Sequence, residues 1–243
     1  MTFNVGAIAT IDEKRKNAST EAIKSFRHHN PDSSIVICSD GLVSDIHKIC
    51  EDYNCDLMMN HRSIGYPSSK DINLPRTYLC RVLTAARLIK EKYFLNLEPD
   101  VLVTDKISIS TDKNDCTVVG YTQPYWLFEL DSNLPHGERM TLIDAVIGYY
   151  SNKNVLNNRD HDYVLCGGGY ILSTKLALDI TNNWQNFVDI TDDIDSFYKS
   201  NLKSIDFIWY SDYLLSTTLP FYGKWYKDET LSEKIIHPYK NFY

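Results

Sequence analysis

The sequence predicts an α/β fold in which helices flank a mixed, mainly parallel sheet, and two patterns lead to that prediction. In the first half of the 243-residue chain, apolar runs alternate with segments of helical periodicity in the order β, α, β, α, β. Because two parallel strands need a crossover between them, this order indicates a parallel sheet with helices on both faces. The second pattern is the apolar run Tyr93–Leu97, which reads as a buried strand and leads directly into Glu98-Pro99-Asp100.

The elements of the first half follow from their periodicity. Short apolar runs predict strands at Phe3–Thr10, Ser34–Cys38, Asp56–Asn60 and Tyr93–Leu97. Apolar residues at helical spacing predict helices over Asn17–His29, Val43–Asp52 and Arg76–Lys92. The last of these patterns is the strongest, since it keeps the 3.6-residue period from Leu79 to Ile89. Ser63–Asn73 contains Gly, Pro and Ser and is expected to form a loop.

The second half has weaker periodicity but still predicts a set of elements. Strands are expected at Thr117–Gly120 and Val164–Leu172, the second broken by its glycines. A helix is expected over Pro135–Tyr150, and further helices are expected to begin at Lys175, Asp193 and Tyr210.

The composition disfavours several classes of protein. A net charge of −7 with no block of Lys or Arg argues against nucleic-acid binding. No apolar run approaches the ~20 residues that span a bilayer, and Met1–Ala7 reads as a first strand instead of a signal peptide. The six cysteines form no C-x-x-C pair, so a zinc site is not expected. We expect a soluble, cytoplasmic protein with a substantial core.

Glu98 and Asp100 are the first candidate site residues. Pro99 cannot donate to a strand ladder, so the strand should end before it. Both carboxylates would then lie at the carboxyl edge of the sheet, where open α/β sheets bind ligands. Two hard oxygen ligands suit a divalent cation that also holds substrate phosphates. The alternative is a turn with two solvated carboxylates. The glycines match neither the dinucleotide-binding fingerprint nor the P-loop, which argues against those two enzyme classes.

Five segments in order resemble GT-A glycosyltransferases, and more narrowly the Fringe and β-1,3-glycosyltransferase group. They are Ala9–Asp12, Cys38–Gly41 (like the family's T-D-G), Glu98–Asp100 (in place of its D-x-D metal motif), the glycine-rich Cys166–Ser173, and Ser211-Asp212 followed by His237. Together they span nearly the whole chain. Three features depart from the family: Glu98 replaces the usual Asp, Ser211 replaces the first Asp of a pair, and we expect no Golgi membrane anchor of the kind typical of the animal enzymes.

The resemblance implies a single GT-A (Rossmann-like) domain over residues 1–243. Residues 1–105 would form the nucleotide-binding half, and residues 106–243 the acceptor-binding half, with a C-terminal tail that closes the site. The implied function is metal-dependent transfer of a sugar from a UDP-sugar donor to a hydroxyl of a glycan acceptor. A retaining GT-A enzyme and a non-catalytic glycan-binding domain on the same fold are the alternatives.

The resemblance also assigns roles to charged residues. Mn²⁺ or Mg²⁺ held by Glu98, Asp100 and His237 would neutralise the diphosphate as it leaves. A His ligand favours Mn²⁺, since imidazole is a poor ligand for Mg²⁺; otherwise His237 is a surface residue near the chain end. Lys240 would add positive charge near the diphosphate. Asp212 corresponds to the general base that the acceptor hydroxyl needs for an inverting reaction, and its alternative role is a helix cap or first-turn carboxylate.

The remaining candidates would bind the nucleotide sugar, and they are Thr10, Asp12, Asp40, Arg76, Arg81, Gly167, Gly168 and Gly169. The first three stand at strand ends, where a uracil and ribose would lie, although Asp40 and Gly41 are also typical of a plain turn. The two arginines would reach the phosphates or sugar, or lie on a solvated helix face. The three glycines let a backbone approach a ligand closely, or form a tight turn without one.

Overall fold

In the computed structural model, the described residues are 2–65, 68–110, 116–124, 163–201, 209–222, 224–227 and 230–236. The strands are β1 (Thr2–Ile11), β2 (Ile35–Ser39), β3 (Asp56–Met58), β4 (Ser68–Ser69), β5 (Tyr93–Leu97), β6 (Leu102–Val103), β7 (Ser108–Ser110), β8 (Cys116–Pro124), β9 (Tyr163–Ser173), β10 (Trp209–Tyr210), β11 (Lys224–Lys227) and β12 (Ile235–Ile236). The helices are α1 (Lys16–His29), α2 (Ile46–Tyr53), α3 (Asn73–Ala85), α4 (Thr174–Asn182), α5 (Trp184–Asn201), α6 (Ser211–Tyr222) and α7 (Leu231–Lys234), and a 3₁₀ turn at Ala86–Leu88 follows α3.

The central sheet runs in the order β11-β8-β9-β5-β1-β2-β3, with β7 paired to the start of β1. β1 is parallel to β2 and to β5, β2 is parallel to β3, and β11 is parallel to β8. β9 is antiparallel to both of its neighbours. The predicted fold class, a mixed and mainly parallel sheet flanked by helices, is confirmed.

Each face of the sheet is covered by its own set of helices. Ile8 and Phe94 pack in one cluster with apolar residues of α3, α4, α5 and α6, and we call this side the α3 face. Ala7, Ala9 and Leu95 pack in the other cluster with residues of α1 and α2, which cover the α1 face. Successive residues of a strand point to opposite faces, so strands covered on both sides read as continuous apolar runs. Each fully buried large apolar side chain contributes about 1.5–3 kcal/mol.

The boundaries predicted for two helices are wrong. The helix predicted over Arg76–Lys92 begins at Asn73, because Pro75 lies in the first turn, where backbone N–H groups have no intrahelical acceptor. It ends at Ala85 and tightens into the 3₁₀ turn, after which Ile89 has an extended backbone. The helix expected to begin at Asp193 begins nine residues earlier, at Trp184. The buried side chains of Phe187, Thr191 and Ile194 form its inner stripe.

The expected loop Ser63–Asn73 contains a short strand. Its residues Ser68 and Ser69 pair antiparallel with Tyr210 and Trp209, immediately before α6. The strand Tyr93–Leu97 is confirmed at both ends. The predicted helix Pro135–Tyr150 lies outside the described residues. Among the described helices, none combines the length and the apolar composition needed to cross a membrane.

Candidate functional site

Several of the predicted site residues lie at one edge of the sheet. Because β1, β2 and β5 are parallel neighbours, their carboxyl ends meet at the same edge. Thr10 and Asp12 lie at the end of β1, Asp40 directly follows β2, and Glu98 directly follows β5. Strand order therefore gathers residues that are far apart in the sequence.

The turn after β5 presents Glu98 and Asp100. The backbone N–H of Val101 donates to the carbonyl of Glu98 across 3.1 Å and closes a turn around Pro99 and Asp100. Glu98 and Asp100 are half-buried. Burial raises the pKa of Glu98 to about 8, and the negative charges of Asp100 and Asp212 add to that rise.

Asp212 acts electrostatically on Glu98 from another element. It lies in the first turn of α6 and is half-buried. Its charge acts on Glu98 and also on Tyr170, whose pKa is raised well above its ordinary value by burial first, then by Glu98 and Asp212. The structure thus brings Asp100 and Asp212 each into electrostatic range of Glu98, as a shared site requires.

A buried polar layer lies beside these carboxylates on the α3 face. The Tyr78 hydroxyl donates to Thr10 Oγ1 across 2.9 Å, and Asn96 Nδ2 donates to Glu98 Oε1 across 3.3 Å. Burial raises the pKa of Tyr78, with Glu98 as the next contribution. The sequence reading missed Tyr78, Asn96 and Tyr170. The sequence carried a signal for Asn96, because it lies within the apolar run of β5 and a buried polar residue needs a hydrogen-bond partner.

The residues present fit a divalent cation. Two half-buried carboxyl groups lie on one turn, and once ionised their oxygens are the ligands that Mg²⁺ and Mn²⁺ prefer. Across the described part of the chain, no group of three or more His, Cys, Asp or Glu is placed to hold a metal ion. His237 and Lys240, two predicted contributors, lie outside the described residues. Further ligands would therefore come from water, from substrate phosphates or from that part of the chain.

Asp12 at the end of β1 is held by Arg15. Its carboxylate accepts the backbone N–H of Arg15 at 2.7 Å and the side-chain Nε at 2.6 Å. The positive charge of Arg15 also lowers the pKa of Glu98, but burial and the charges of Asp100 and Asp212 raise it by more. This pair places a guanidinium within electrostatic range of Glu98. The contact of Thr10 and Asp12 with a nucleotide stays a prediction.

Asp40 after β2 is held by a distant loop. Its Oδ1 accepts from the backbone of Ile64 at 2.7 Å, and its Oδ2 accepts from Ser63 Oγ at 2.8 Å and from the backbone of Gly65 at 2.9 Å. Gly41 has a φ of +83°, a conformation that glycine adopts without strain. The chain therefore turns at Asp40 and Gly41, and the contact of Asp40 with a ribose stays a prediction.

The two predicted arginines have different surroundings. Arg81 is half-buried, and its Nη1 donates to Asp40 Oδ1 at 3.0 Å and to the carbonyl of Arg62 at 3.2 Å. Arg76 is buried at 5% exposure, so the alternative of a solvated helix face is wrong for it. Its guanidinium donates to Thr191 Oγ1, to the carbonyl of Val188 and to Asp192. These contacts join α3 to α5, and a role of Arg76 toward a donor stays a prediction.

The glycine-rich segment interrupts the pairing of β8 with β9. Gly120 pairs with Tyr170 and Thr122 pairs with Leu165, so two steps along β8 correspond to five along β9. The three extra residues fall between Leu165 and Tyr170, where Gly167, Gly168 and Gly169 lie. The expected break of the strand is thus a bulge beside Tyr170, and bulges of this kind re-aim a strand next to a site. Its contact with a ligand stays a prediction.

Comparison with known proteins gave similarity to solved structures only. No family model matches the chain, and no curated protein matches it. The galactosyltransferase LgtC, in complex with donor and acceptor sugar analogs, is 13% identical with a TM-score of 0.48; the alignment covers 90% of this chain and 71% of LgtC. The bifunctional glycosyltransferase WbbM is 13% identical with a TM-score of 0.44, covering 91% of this chain and 38% of WbbM.

A third similar structure is glucosyl-3-phosphoglycerate synthase from Mycobacterium tuberculosis, in complex with Mn²⁺, UDP and glucosyl-3-phosphoglycerate. It is 14% identical with a TM-score of 0.36, covering 72% of this chain and 58% of that chain. None of the three is described as a Fringe protein, so the narrower resemblance to that group stays a prediction. The case for a function rests on the side chains at the carboxyl edge.

Proposed function

We propose that this protein is a glycosyltransferase that moves a sugar from a UDP-sugar donor to a hydroxyl of a glycan. The observation that supports this most is the approach of three carboxylates at the sheet edge. Glu98 and Asp100 lie on the turn after β5, and Asp212, in the first turn of α6, lies within electrostatic range of Glu98. A cation site and a separate base are the two components that the reaction needs.

Glu98 and Asp100 would hold the divalent cation through their oxygens. When bound, the cation supplies positive charge that stabilises the diphosphate as the bond to the sugar breaks. Burial of Glu98 raises its pKa, so its proton must leave when it becomes a ligand. A contribution from His237 would favour Mn²⁺ over Mg²⁺.

Asp212 would act as the general base. Its carboxylate takes the proton of the acceptor hydroxyl as that oxygen forms a bond to C1 of the sugar and the C1–O bond to the diphosphate breaks. Attack opposite the leaving group inverts the anomeric centre. Asp212 is the second residue of α6, and the positive end of the helix dipole favours a negative charge there. A retaining enzyme would share the cation site without needing Asp212 as a base.

The donor would lie along the carboxyl edge. Thr10 and Asp12 would contact the nucleoside, Arg81 and Lys240 the diphosphate, and Gly167, Gly168 and Gly169 the sugar. Residues 1–105 would then supply most of the nucleotide contacts, and residues 106–243 the acceptor side and the tail that closes over the site.

A thermal-shift panel tests this proposal. UDP, UDP-glucose, UDP-galactose and UDP-N-acetylglucosamine are each added with Mn²⁺ or with EDTA. We expect a rise in Tm that needs both nucleotide and Mn²⁺ and that disappears in Asp100→Asn. A UDP-induced shift that survives EDTA and the Asp100→Asn substitution would contradict the cation site. For an active donor, the anomeric configuration of the product by NMR separates inversion from retention.

A further inference from the structure

Residues 63–65 are anchored by one side chain, that of Asp40. Three consecutive residues, Ser63, Ile64 and Gly65, donate to its carboxylate within 2.7–2.9 Å. Arg81 donates to the same carboxylate and to the carbonyl of Arg62. The segment after β3 is thus fixed to the carboxyl edge of the sheet.

The same stretch of chain is fixed again a few residues later. Ser68 and Ser69 pair with Tyr210 and Trp209 in a short antiparallel ladder. Trp209 is buried, and its Nε1 donates to Asp195 Oδ1 at 2.8 Å. Only two residues separate the part that Asp40 holds from β4, and only Ser211 separates β10 from Asp212. The path from Asp40 to Asp212 therefore consists of hydrogen-bonded contacts and short covalent links.

The hydrogen-bond acceptor positions of the Asp40 carboxylate are all occupied by donors of the protein. Two carboxylate oxygens offer about four acceptor positions, and four donors occupy them: Ser63, Ile64, Gly65 and Arg81. Asp40 is also buried, at 8% exposure. A ribose hydroxyl would have to displace one of these donors.

We propose that Asp40 is a positioning residue that acts on Asp212 through the β4–β10 pair, a role that rests on the proposed function of Asp212 as the base. Asp40 fixes the 63–65 segment, this segment places β4, and β4 fixes β10 and the first turn of α6. The orientation of the Asp212 carboxylate toward the acceptor hydroxyl thus depends on Asp40, which follows β2. In this role Asp40 contributes to the rate of transfer and makes no contact with the donor.

A double-mutant cycle on the full chain tests the proposal. Asp40→Asn keeps the shape but replaces one oxygen with an NH₂ group that faces donors. We expect kcat for transfer to fall about 10- to 100-fold, the range for a misplaced catalytic group, with the donor KM unchanged. In the Asp212→Asn background, Asp40→Asn should cause no further loss of kcat. Asp52→Asn, an exposed carboxylate on α2, is the matched control and should change neither constant.

Two kinetic outcomes would overturn the proposal. If Asp40 binds the donor, Asp40→Asn raises the donor KM in both backgrounds. If Asp40 acts on the rate independently of Asp212, the two losses in kcat multiply. Should Asp40→Asn fail to fold, Ser63→Ala removes one of the four contacts and takes its place in the same cycle.

Hydrogen–deuterium exchange separates failure of this proposal from failure of the proposed function. We expect Asp40→Asn to speed amide exchange in peptides that cover residues 61–69 and also in those that cover 209–213, with no change in Asp52→Asn. Faster exchange in 61–69 alone would show that the two segments are not coupled, even in an active transferase. Faster exchange in both, with no sugar transfer by the wild-type protein, would keep the coupling and reject Asp212 as a base.

Discussion

Asn96 Nδ2 donates to Glu98 Oε1 across 3.3 Å, and the two side chains belong to the same run of β5 and its following turn. Asn96 is 2% exposed, and its Oδ1 is buried without a hydrogen-bond partner among the described residues. An unpartnered buried acceptor costs stability. The hydrogen bond from Asn96 to Glu98 favours the ionised form of Glu98, because an amide donor stabilises the charged form of a carboxylate.

Asn96→Leu is expected to weaken cation binding without weakening the fold. Without the amide donor, Glu98 loses the hydrogen bond that favours its ionised form, and outer-shell partners of this kind typically account for about 10- to 100-fold in metal affinity. The leucine removes the unpartnered oxygen and extends the apolar face of Phe94. Titration with Mn²⁺ measures the affinity, and urea unfolding in EDTA measures stability. An unchanged Mn²⁺ affinity would show that Asn96 only packs.

Glu98→Gln is expected to stabilise the metal-free protein at high pH. In the folded protein the pKa of Glu98 is about 8, against an ordinary 4.5. Between these values the folded protein keeps a proton that the unfolded chain has released. The stability that Glu98 contributes is therefore complete below pH 4.5 and is lost as the pH rises through 8. The amide carries no charge, so the variant avoids this loss.

The measurement is Tm in EDTA at pH 4.5, 6.5 and 8.5. A gain of about 1 kcal/mol would raise Tm by about 2–4 °C for a chain of this size. The wild type and Glu98→Gln should differ most at pH 8.5 and least at pH 4.5. A difference that stays constant with pH would contradict a raised pKa for Glu98.

The sequence predicted those parts of the site that depend on local pattern. The five-residue run of β5 and the proline after it placed Glu98 and Asp100 at the strand end, and the structure has them there. The alternation of strands and helices predicted the parallel arrangement that gathers the ends of β1, β2 and β5. These features follow from periodicity and from the missing N–H of one proline.

The features that the sequence did not reveal depend on contacts between distant segments. Nothing near Asp40 indicates that residues 63–65 will donate to it. Tyr78 and Tyr170 carry no local signal of a site, and only the folded structure shows that both lie within electrostatic range of Glu98. The three-residue slip at the β9 glycines depends on the partner strand β8, which the glycines themselves do not specify.

Arg76→Met is expected to lower stability and to leave UDP binding unchanged. The guanidinium is buried and joins α3 to α5 through Thr191, Val188 and Asp192. Hydrogen bonds to charged groups are worth about 1.5–3 kcal/mol each, so a loss of about 2–4 kcal/mol in the free energy of unfolding is expected from several of them. Urea unfolding measures this loss.

Arg87→Met, at an exposed position just after α3, is the matched control and should leave stability near that of the wild type. If Arg76→Met instead weakens Mn²⁺-dependent UDP binding and keeps its stability, Arg76 contacts the donor and the contacts to α5 contribute little.

Asp212→Asn is expected to remove transfer while leaving substrate binding intact. Asn keeps the size of the side chain and much of its hydrogen bonding, but it cannot take the proton of the acceptor hydroxyl. Loss of a general base typically costs about 10²- to 10⁴-fold in rate. Mn²⁺ and UDP-sugar affinities should stay near those of the wild type, since Asp212 is assigned no contact with either.

The alternative role of Asp212, a first-turn carboxylate with no part in the chemistry, makes the opposite prediction. Asn is among the best residues at a helix start, so Asp212→Asn would then keep its activity. Single-turnover transfer at saturating donor measures the rate, and titration of UDP in the presence of Mn²⁺ measures the affinity. A fully active Asp212→Asn protein would exclude Asp212 as the base and would favour a retaining enzyme with the same cation site.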